Sequence, residues 1–306
     1  MTVVSSLSAF EIGQRLAGAG LGIRTGPFNF RIRSDIPAIQ KGIHVLYADY
    51  ALAADTEFFD FEVLMDRGAG LHRWIRPQVR FVFDGGLPFE PLPQNHAFPL
   101  LEWAMNWCIS TQAHQYLILH AAVIERDGLA AVLAAPPGSG KSTLCAGLIC
   151  RGWRLLSDEL TLVSTMNGTI APLCRPVSLK NESLDVIRAH APDAVFGDVV
   201  HGTSKGSVGH LKVERRHLDQ IDSMAEPGWV IFPRYVAGAG ARLTARSRAD
   251  SMLELGRNAF NYGALGLLGF QTLGGLVDRS DCHDFEYSSL GEAERVFDSL
   301  VASRRL

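Results

Sequence analysis

A chain of 306 residues, 47% hydrophobic and 20% charged, has ordinary globular composition and the length for one large or two ordinary domains. Its formal net charge of −3, with no basic blocks, excludes a general nucleic-acid or membrane surface. The five cysteines, Cys108, Cys145, Cys150, Cys174 and Cys282, form no C-x-x-C pair and no Cys/His set with zinc spacing, so they read as reduced, mostly buried thiols. The amino terminus lacks the basic start and apolar core of a secretory signal. Gly263 to Val277, the longest apolar candidate, is too short and too glycine-rich to span a bilayer. The expected location is the cytoplasm, with neither nucleic acid nor membrane as a partner.

A short helix is expected around Ala9 to Leu16. Phe28, Phe30 and Ile32 alternate with Asn29, Arg31 and Arg33, the period-two pattern of a half-exposed strand. Phe59, Phe61 and Val63 repeat it, as do Val79, Phe81 and Phe83 before Asp84-Gly85-Gly86. Residues 1–97 therefore read as a small β-rich domain with at least three strands, of undisclosed role. His44, His72, Arg73, Arg76 and Arg80 are either a phosphate or partner surface or, as usual for polar positions on alternating strands, solvated faces. Four prolines between Gly85 and Pro99 mark a linker to a second domain, 98–306. Phe98 to Tyr116 then carries a helical stripe expected to pack on that second domain, with Trp103 and Trp107 as core side chains rather than a cofactor box.

Leu117 to Arg126 reads as one strand, and Asp127-Gly128 is a strong two-residue hairpin signal. If Arg126 pairs with Leu129, His120 falls opposite Ala135, near any phosphate bound there. The alternative for His120 is a hydrogen bond to the strand edge. Leu129 to Ala134 is a continuous apolar run, as in a strand buried on both faces.

Next comes Ala135-Pro136-Pro137-Gly138-Ser139-Gly140-Lys141-Ser142-Thr143, a P-loop whose first glycine is Ala135. Such a turn aims backbone N–H groups at the β- and γ-phosphates of a nucleotide, the lysine adds a charge, and the hydroxyl ligates Mg²⁺. Pro137 to Thr143 are thus the expected ATP-binding residues, with Ser142 on the metal. A helix from Ser142 to Cys150, closed by Arg151-Gly152, supplies the context the motif requires.

Trp153 to Leu156 closes a β-α-β unit, which brings Ser157-Asp158-Glu159 to the same sheet edge as the loop. There Asp158 and Glu159 can hold Mg²⁺ or take a proton from an attacking hydroxyl; elsewhere two adjacent acids would be a solvated turn. Beside phosphate and Mg²⁺, Asp158 is expected to stay ionised. Leu160 to Ser164 and Ile170 onward form a hairpin. Arg175, Lys180 and Glu182 lie on a loop before a helix near Ser183 to Ala191, with phosphate screening or metal binding set against plain surface charge. Gly197 to Arg216 is locally basic and glycine-rich, an expected mobile loop, with closure over nucleotide or an acidic substrate set against a plain flexible loop. Trp229 to Phe232 is a buried strand leading to Arg234, and Leu243 to Arg248 is another strand. Ala249 to Phe260 and Leu290 to Leu300 read as helices on either side of a glycine-rich apolar segment.

The run Leu119 to Val123, the hairpin, the P-loop and Arg151 to Glu159 together resemble the core of HPr kinase/phosphorylase, and more specifically the HPr-kinase-related kinases with an unrelated N-terminal domain. The resemblance covers about 45 residues strongly, the rest of the C-terminal half loosely, and none of 1–97. It implies an α/β P-loop kinase domain with a mixed sheet, akin to phosphoenolpyruvate carboxykinase, preceded by the small β-rich domain. It also implies an ATP- and Mg²⁺-dependent kinase acting on a serine or other hydroxyl of a protein, peptide or small molecule, and often an oligomer. Lys141 would hold phosphate, His120 would match the active-site histidine, and Asp158 the catalytic aspartate. The chain departs from the family at Ala135, at Thr143 where glutamate is frequent, and at Glu159 where a second aspartate stands. The later Gly-Arg-Asn segment is matched in letters only by Gly256-Arg257-Asn258, inside a predicted helix, with Arg248 a loose substitute. The competing function is a nucleotide-binding switch that regulates a partner and transfers nothing. No Leu-Ser-Gly-Gly-Gln-like segment supports a transporter ATPase.

Overall fold

The computed structural model describes residues 2–54, 56–68 and 75–304. Ser8 and Glu11 close a capping box on α1 (Ala9–Ala17). A five-stranded sheet follows from β1 (Leu21–Thr25), β2 (Phe28–Ser34), β3 (Phe61–Arg67), β4 (Gln78–Val82) and β5 (Leu92–Pro93), in that spatial order. β2 and β3 run parallel through the crossover helix α2 (Pro37–Leu46), and the other neighbours are antiparallel. Phe28, Phe30 and Ile32 are buried and Arg33 exposed, as the alternation predicts. Arg80 is paired to Asp66 on the adjacent strand at 2.7 Å, the solvated-face reading of that cation. His72 and Arg73 lie outside the described residues.

α3 (Ala97–Gln112) is buried on two sides, which explains its near-continuous apolar sequence. Trp107 sets its edge against Phe81 and Phe83 at 5.8 and 5.4 Å, and Trp103 stacks on Phe89 at 4.3 Å. Trp107 is a packing group as expected, whereas Trp103 is 52% exposed and not a core side chain; its stacking lays the proline-rich stretch on α3 through Phe89. On its other side α3 turns Glu102 and Asn106, one turn apart and buried, toward the second half of the chain.

That half contains β6 (Tyr116–His120), β7 (Ala122–Arg126), β8 (Leu129–Leu133), α4 (Lys141–Ile149), β9 (Arg154–Ser157), β10 (Leu160–Ser164), β11 (Ile170–Ala171) and β12 (Val177–Lys180). It continues with α5 (Glu182–His190), β13 (Val200–Thr203), β14 (Gly206–Leu211), α6 (Arg215–Leu218), β15 (Glu226–Tyr235) and β16 (Arg242–Ala245). It ends with α7 (Arg248–Arg257), α8 (Tyr262–Leu265), α9 (Leu267–Asp278), β17 (Asp281–Tyr287) and α10 (Leu290–Arg304). The architecture is mixed α/β. A six-stranded sheet has the order β16-β17-β15-β8-β7-β9, in which β8, β15 and β17 are parallel. β9 is antiparallel to β7, which is antiparallel to β8, so β8 and β9 point the same way with one strand between them. Their C-terminal ends share an edge, as the β-α-β reading requires.

Three expectations are corrected. The hairpin pairs Arg126 with Leu129 as predicted, but the ladder stops at Ala122–Leu133 and His120 does not lie opposite Ala135. A tight turn in which the Ala121 N–H donates to the Leu119 carbonyl at 2.9 Å breaks the strand, and β6 joins β10 in another sheet, with His120 opposite Leu160. The Gly197 to Arg216 stretch is not one long loop. Gly202 and Gly206, at φ of 73° and 85°, allow β13 and β14 to turn back on each other, and β14 pairs with β12. The stretch between the last two expected helices holds α8, α9 and the strand β17, whose acidic sequence hides a strand that buries Phe285 and Tyr287 on one face and Cys282 on the other. Among the described residues no helix is long and apolar enough to cross a membrane.

β9 is also tied to α6, because the Leu155 N–H donates to His217 Nδ1 at 3.1 Å. Burial, with the nearby Arg216 charge, lowers the His217 pKa from 6.5 to about 4. At pH above 6.5 both folded and unfolded chains keep this ring neutral, so its contribution is fully present. As pH falls toward about 4 the unfolded chain takes a proton that the folded chain refuses, and stability is lost. Urea midpoints should therefore fall between pH 7 and 4.5, with His217→Asn, which keeps an acceptor, less steep by at most about 3 kcal/mol. Equal slopes for the two proteins would remove His217 from the account.

Candidate functional site

The loop between β8 and α4 is shaped by its glycines. Gly138 and Gly140 have φ of 86° and 89°, a region closed to most side chains. A Cβ on Gly140 would meet Tyr287 Oη at 2.5 Å and Tyr235 Cβ at 3.1 Å. Those tyrosines end β15, which neighbours β8, and β17, the next strand beyond it, and hold the loop from that side: Tyr287 Oη donates to the Gly140 carbonyl and the Tyr235 N–H to the Ser139 carbonyl, both at 2.9 Å. Gly140 occupies the N-cap of α4 without any side-chain cap, leaving the first-turn N–H groups of the helix free of such acceptors.

Lys141, the first helical residue, is 8% exposed, and its Nζ has no hydrogen-bond partner; nor does the buried Ser139 Oγ. Burial lowers the Lys141 pKa, while the charges of Glu159 and Asp158 support protonation. Ser142 and Thr143 are partly exposed in the first turn, and Pro137 and Gly138 are exposed at the tip. A buried cation without a partner at an uncapped helix start is the donor set an anion needs.

Asp158 and Glu159 follow β9 at the same edge, and neither is a solvated turn. Asp158 is 5% exposed, with Oδ2 accepting from the Ser178 N–H at 2.9 Å. Burial pushes its carboxyl up to about 7, the Glu159 charge adds to this, and the Ser178 N–H and Arg175 work against it. For Glu159, burial opposes ionisation, but Lys180, Arg175, Lys205 and His120 outweigh it and hold the carboxylate low. The pair keeps its charge on Glu159 and its more readily gained proton on Asp158.

Of the residues that fix Glu159, Arg175 was singled out in the sequence, but Tyr47, Glu102 and Asn106 were not. Asn106 Nδ2 donates to Glu159 Oε2, and Arg175 Nη2 donates to Asn106 Oδ1. Arg175 Nη1 reaches the Glu102 carbonyl at 3.3 Å and its Oε2 at 3.7 Å, and Tyr47 Oη donates to Glu102 Oε1 at 2.6 Å. Polar residues one turn apart in an apolar helix were the available signal for Glu102 and Asn106. Arg175 and Lys180 thus belong to the site. Arg234 instead pairs with Glu286 at 2.8 Å, Arg248 stands 3.8 Å from Asp278, and Glu182 starts α5.

His120 is half-buried at the end of β6, with its backbone N–H donating to the Asn258 carbonyl at 2.7 Å and its ring 5.8 Å from that of Phe260. Burial first, then Lys141, lowers its pKa to about 4, against the pull of Glu159. It reaches the neighbourhood of the loop by leaving the hairpin rather than by extending it. Asn258 of the Gly-Arg-Asn letters caps α7 rather than lying inside the helix, and so abuts this histidine.

A cavity of about 330 Å³ opens beside the carboxylates, lined by Asp158, Glu159, Arg175 and Lys180 and walled by α3. A roomier groove of about 560 Å³ against α10, lined by Gly240, Leu243 and Glu292, holds none of the candidate residues, whereas the smaller cavity is lined by Asp158 and Glu159 but by none of Pro137 to Thr143 and not by His120. Among the described residues no group of three or more His, Cys, Asp or Glu side chains is arranged for a metal ion. The expected set of Ser142, Asp158 and Glu159 suits only a cation that takes its remaining ligands from phosphate and water, as Mg²⁺ does.

Gly140→Ala should cost about 2 kcal/mol or more through its backbone angle and the tyrosine contact, read as a lowered melting temperature. Adding Tyr287→Phe should return only part of it. Arg175→Leu leaves Glu102 buried without its cation and should destabilise by about 3–5 kcal/mol in urea unfolding; a change within error would show the pair to be dispensable.

Residues 97–171 match the family model described as SynChlorMet cassette protein ScmC, a span that begins at α3 and includes the loop and both carboxylates. No curated protein matches the chain. Among solved structures, the chain is similar to the Hpr(Ser) kinase/phosphatase from Coxiella burnetii, at 13% identity and a TM-score of 0.28, over 61% of this chain and 95% of that one.

Proposed function

We propose that the protein is a kinase that transfers the γ-phosphoryl group of ATP to a hydroxyl acceptor, with Mg²⁺. The observation that carries this reading is Lys141: a cation nine-tenths buried and unpartnered, at an uncapped helix start, facing the charges of two buried carboxylates. Pro137 to Thr143 would bind the phosphates through backbone N–H groups and Lys141. Ser142, Asp158 and Glu159 would hold Mg²⁺, which when bound neutralises phosphate charge.

The acceptor oxygen attacks the γ-phosphorus, the bond from that phosphorus to the β,γ-bridging oxygen breaks, and ADP leaves. The acceptor proton passes to a carboxylate oxygen of Asp158, which is buried in the wall of the cavity. Glu159, fixed by Asn106 and low in pKa, keeps its negative charge. His120, held neutral, can donate or accept a hydrogen bond without adding charge.

A switch that binds nucleotide and transfers nothing would need the loop and Lys141 but not a proton-accepting Asp158. Incubation of the full chain with γ-labelled ATP, Mg²⁺ and a cytosolic extract separates the two. Label should move to an acceptor, and Asp158→Asn should lower the rate by about 10²–10⁴-fold while ATP still binds. ATP binding without transfer to any fraction would favour the switch.

A further inference from the structure

We infer that the cavity between α3 and the β13–β14 turn is the acceptor site, and that the acceptor is a small hydroxyl-bearing molecule with an apolar body rather than a folded protein. This rests on the kinase reading and adds to it the class of substrate. Asp158 and Glu159, where the phosphoryl group would arrive, line the same cavity as the apolar Leu92, Pro93, Pro99, Leu100, Trp103 and Val208. A volume of about 330 Å³ with both an apolar surface and polar groups is the form of a small-molecule pocket.

Its walls come from both halves of the chain. β5 and α3 supply most of the apolar surface, and the turn from Gly202 to Lys205 forms the facing rim. One side chain of a folded protein would leave the apolar walls of this recess uncovered, whereas a small molecule can cover them while its hydroxyl lies at Asp158. The Trp103 ring is stacked on Phe89, so this wall is already formed, and a flat or aliphatic body can lie against it with little reorganisation.

The test uses the full chain with Mg²⁺ and γ-labelled ATP, and two acceptor pools from one extract: the compounds that pass an ultrafiltration membrane and the retained proteins. Label should enter filtrate compounds. Pro99→Trp, which narrows the cavity from the α3 side, should lower that transfer about tenfold or more while ATP affinity stays as in the wild type. Should this variant fail to fold, Trp103→Ala, which removes part of the wall, should raise the acceptor KM and leave the ATP KM unchanged. Label confined to retained proteins, or cavity variants that transfer like the wild type, would overturn the inference and leave the kinase intact. ATP bound with no label in either pool would take down the kinase reading, and this inference with it.

Discussion

Arg175 is a guanidinium 5% exposed to solvent, and its charge has to be answered by the protein. Burial works against that charge, yet Glu102, Tyr47, Asp158 and Glu159 together raise its pKa. Glu102 and Asn106 can answer it only from α3, so the helix must lie against β12 and the end of β9. The aromatic contacts of Trp103 and Trp107 then fix the five-stranded sheet on the outer side of α3. One buried cation therefore sets the relation between the first sheet and the carboxylates.

The candidate site is built on unequal burial and unequal partners. Lys141 has charges near it but no hydrogen-bond acceptor, Glu159 has cations and an amide donor, and Asp158 has one backbone N–H and an adjacent like charge. Two neighbouring carboxylates in the sequence thus acquire different proton affinities from their surroundings alone. The tyrosines at the ends of β15 and β17 add a steric requirement, since only glycine fits at position 140 beneath them.

Much of this was legible in the residues, because local signals with short range decide it. Asp127-Gly128 set the hairpin register, Phe28 to Ile32 set a strand, and the glycine, lysine and hydroxyl run set the turn before α4. What was not legible depends on distant partners. Ala121 gives no sign that its N–H turns back to Leu119 and sends His120 into a second sheet. The glycines near 202 and 206 suggest mobility unless the pairing of β14 with β12 is known. Asn106 is a single polar letter in an apolar helix, and its role appears only when Arg175 and Glu159, dozens of residues away, close on it.

The two-sided burial of α3 has a thermodynamic consequence. A helix that carries an aromatic seam on one side and the Arg175 network on the other cannot leave either without exposing both, so the first sheet and the carboxylate edge belong to one cooperative unit. Occupancy of the cavity would then add to the free energy of unfolding of the first sheet as well as of the edge it touches. The amino-terminal residues would thus report binding through their hydrogen-exchange rates, although most of them never meet the ligand.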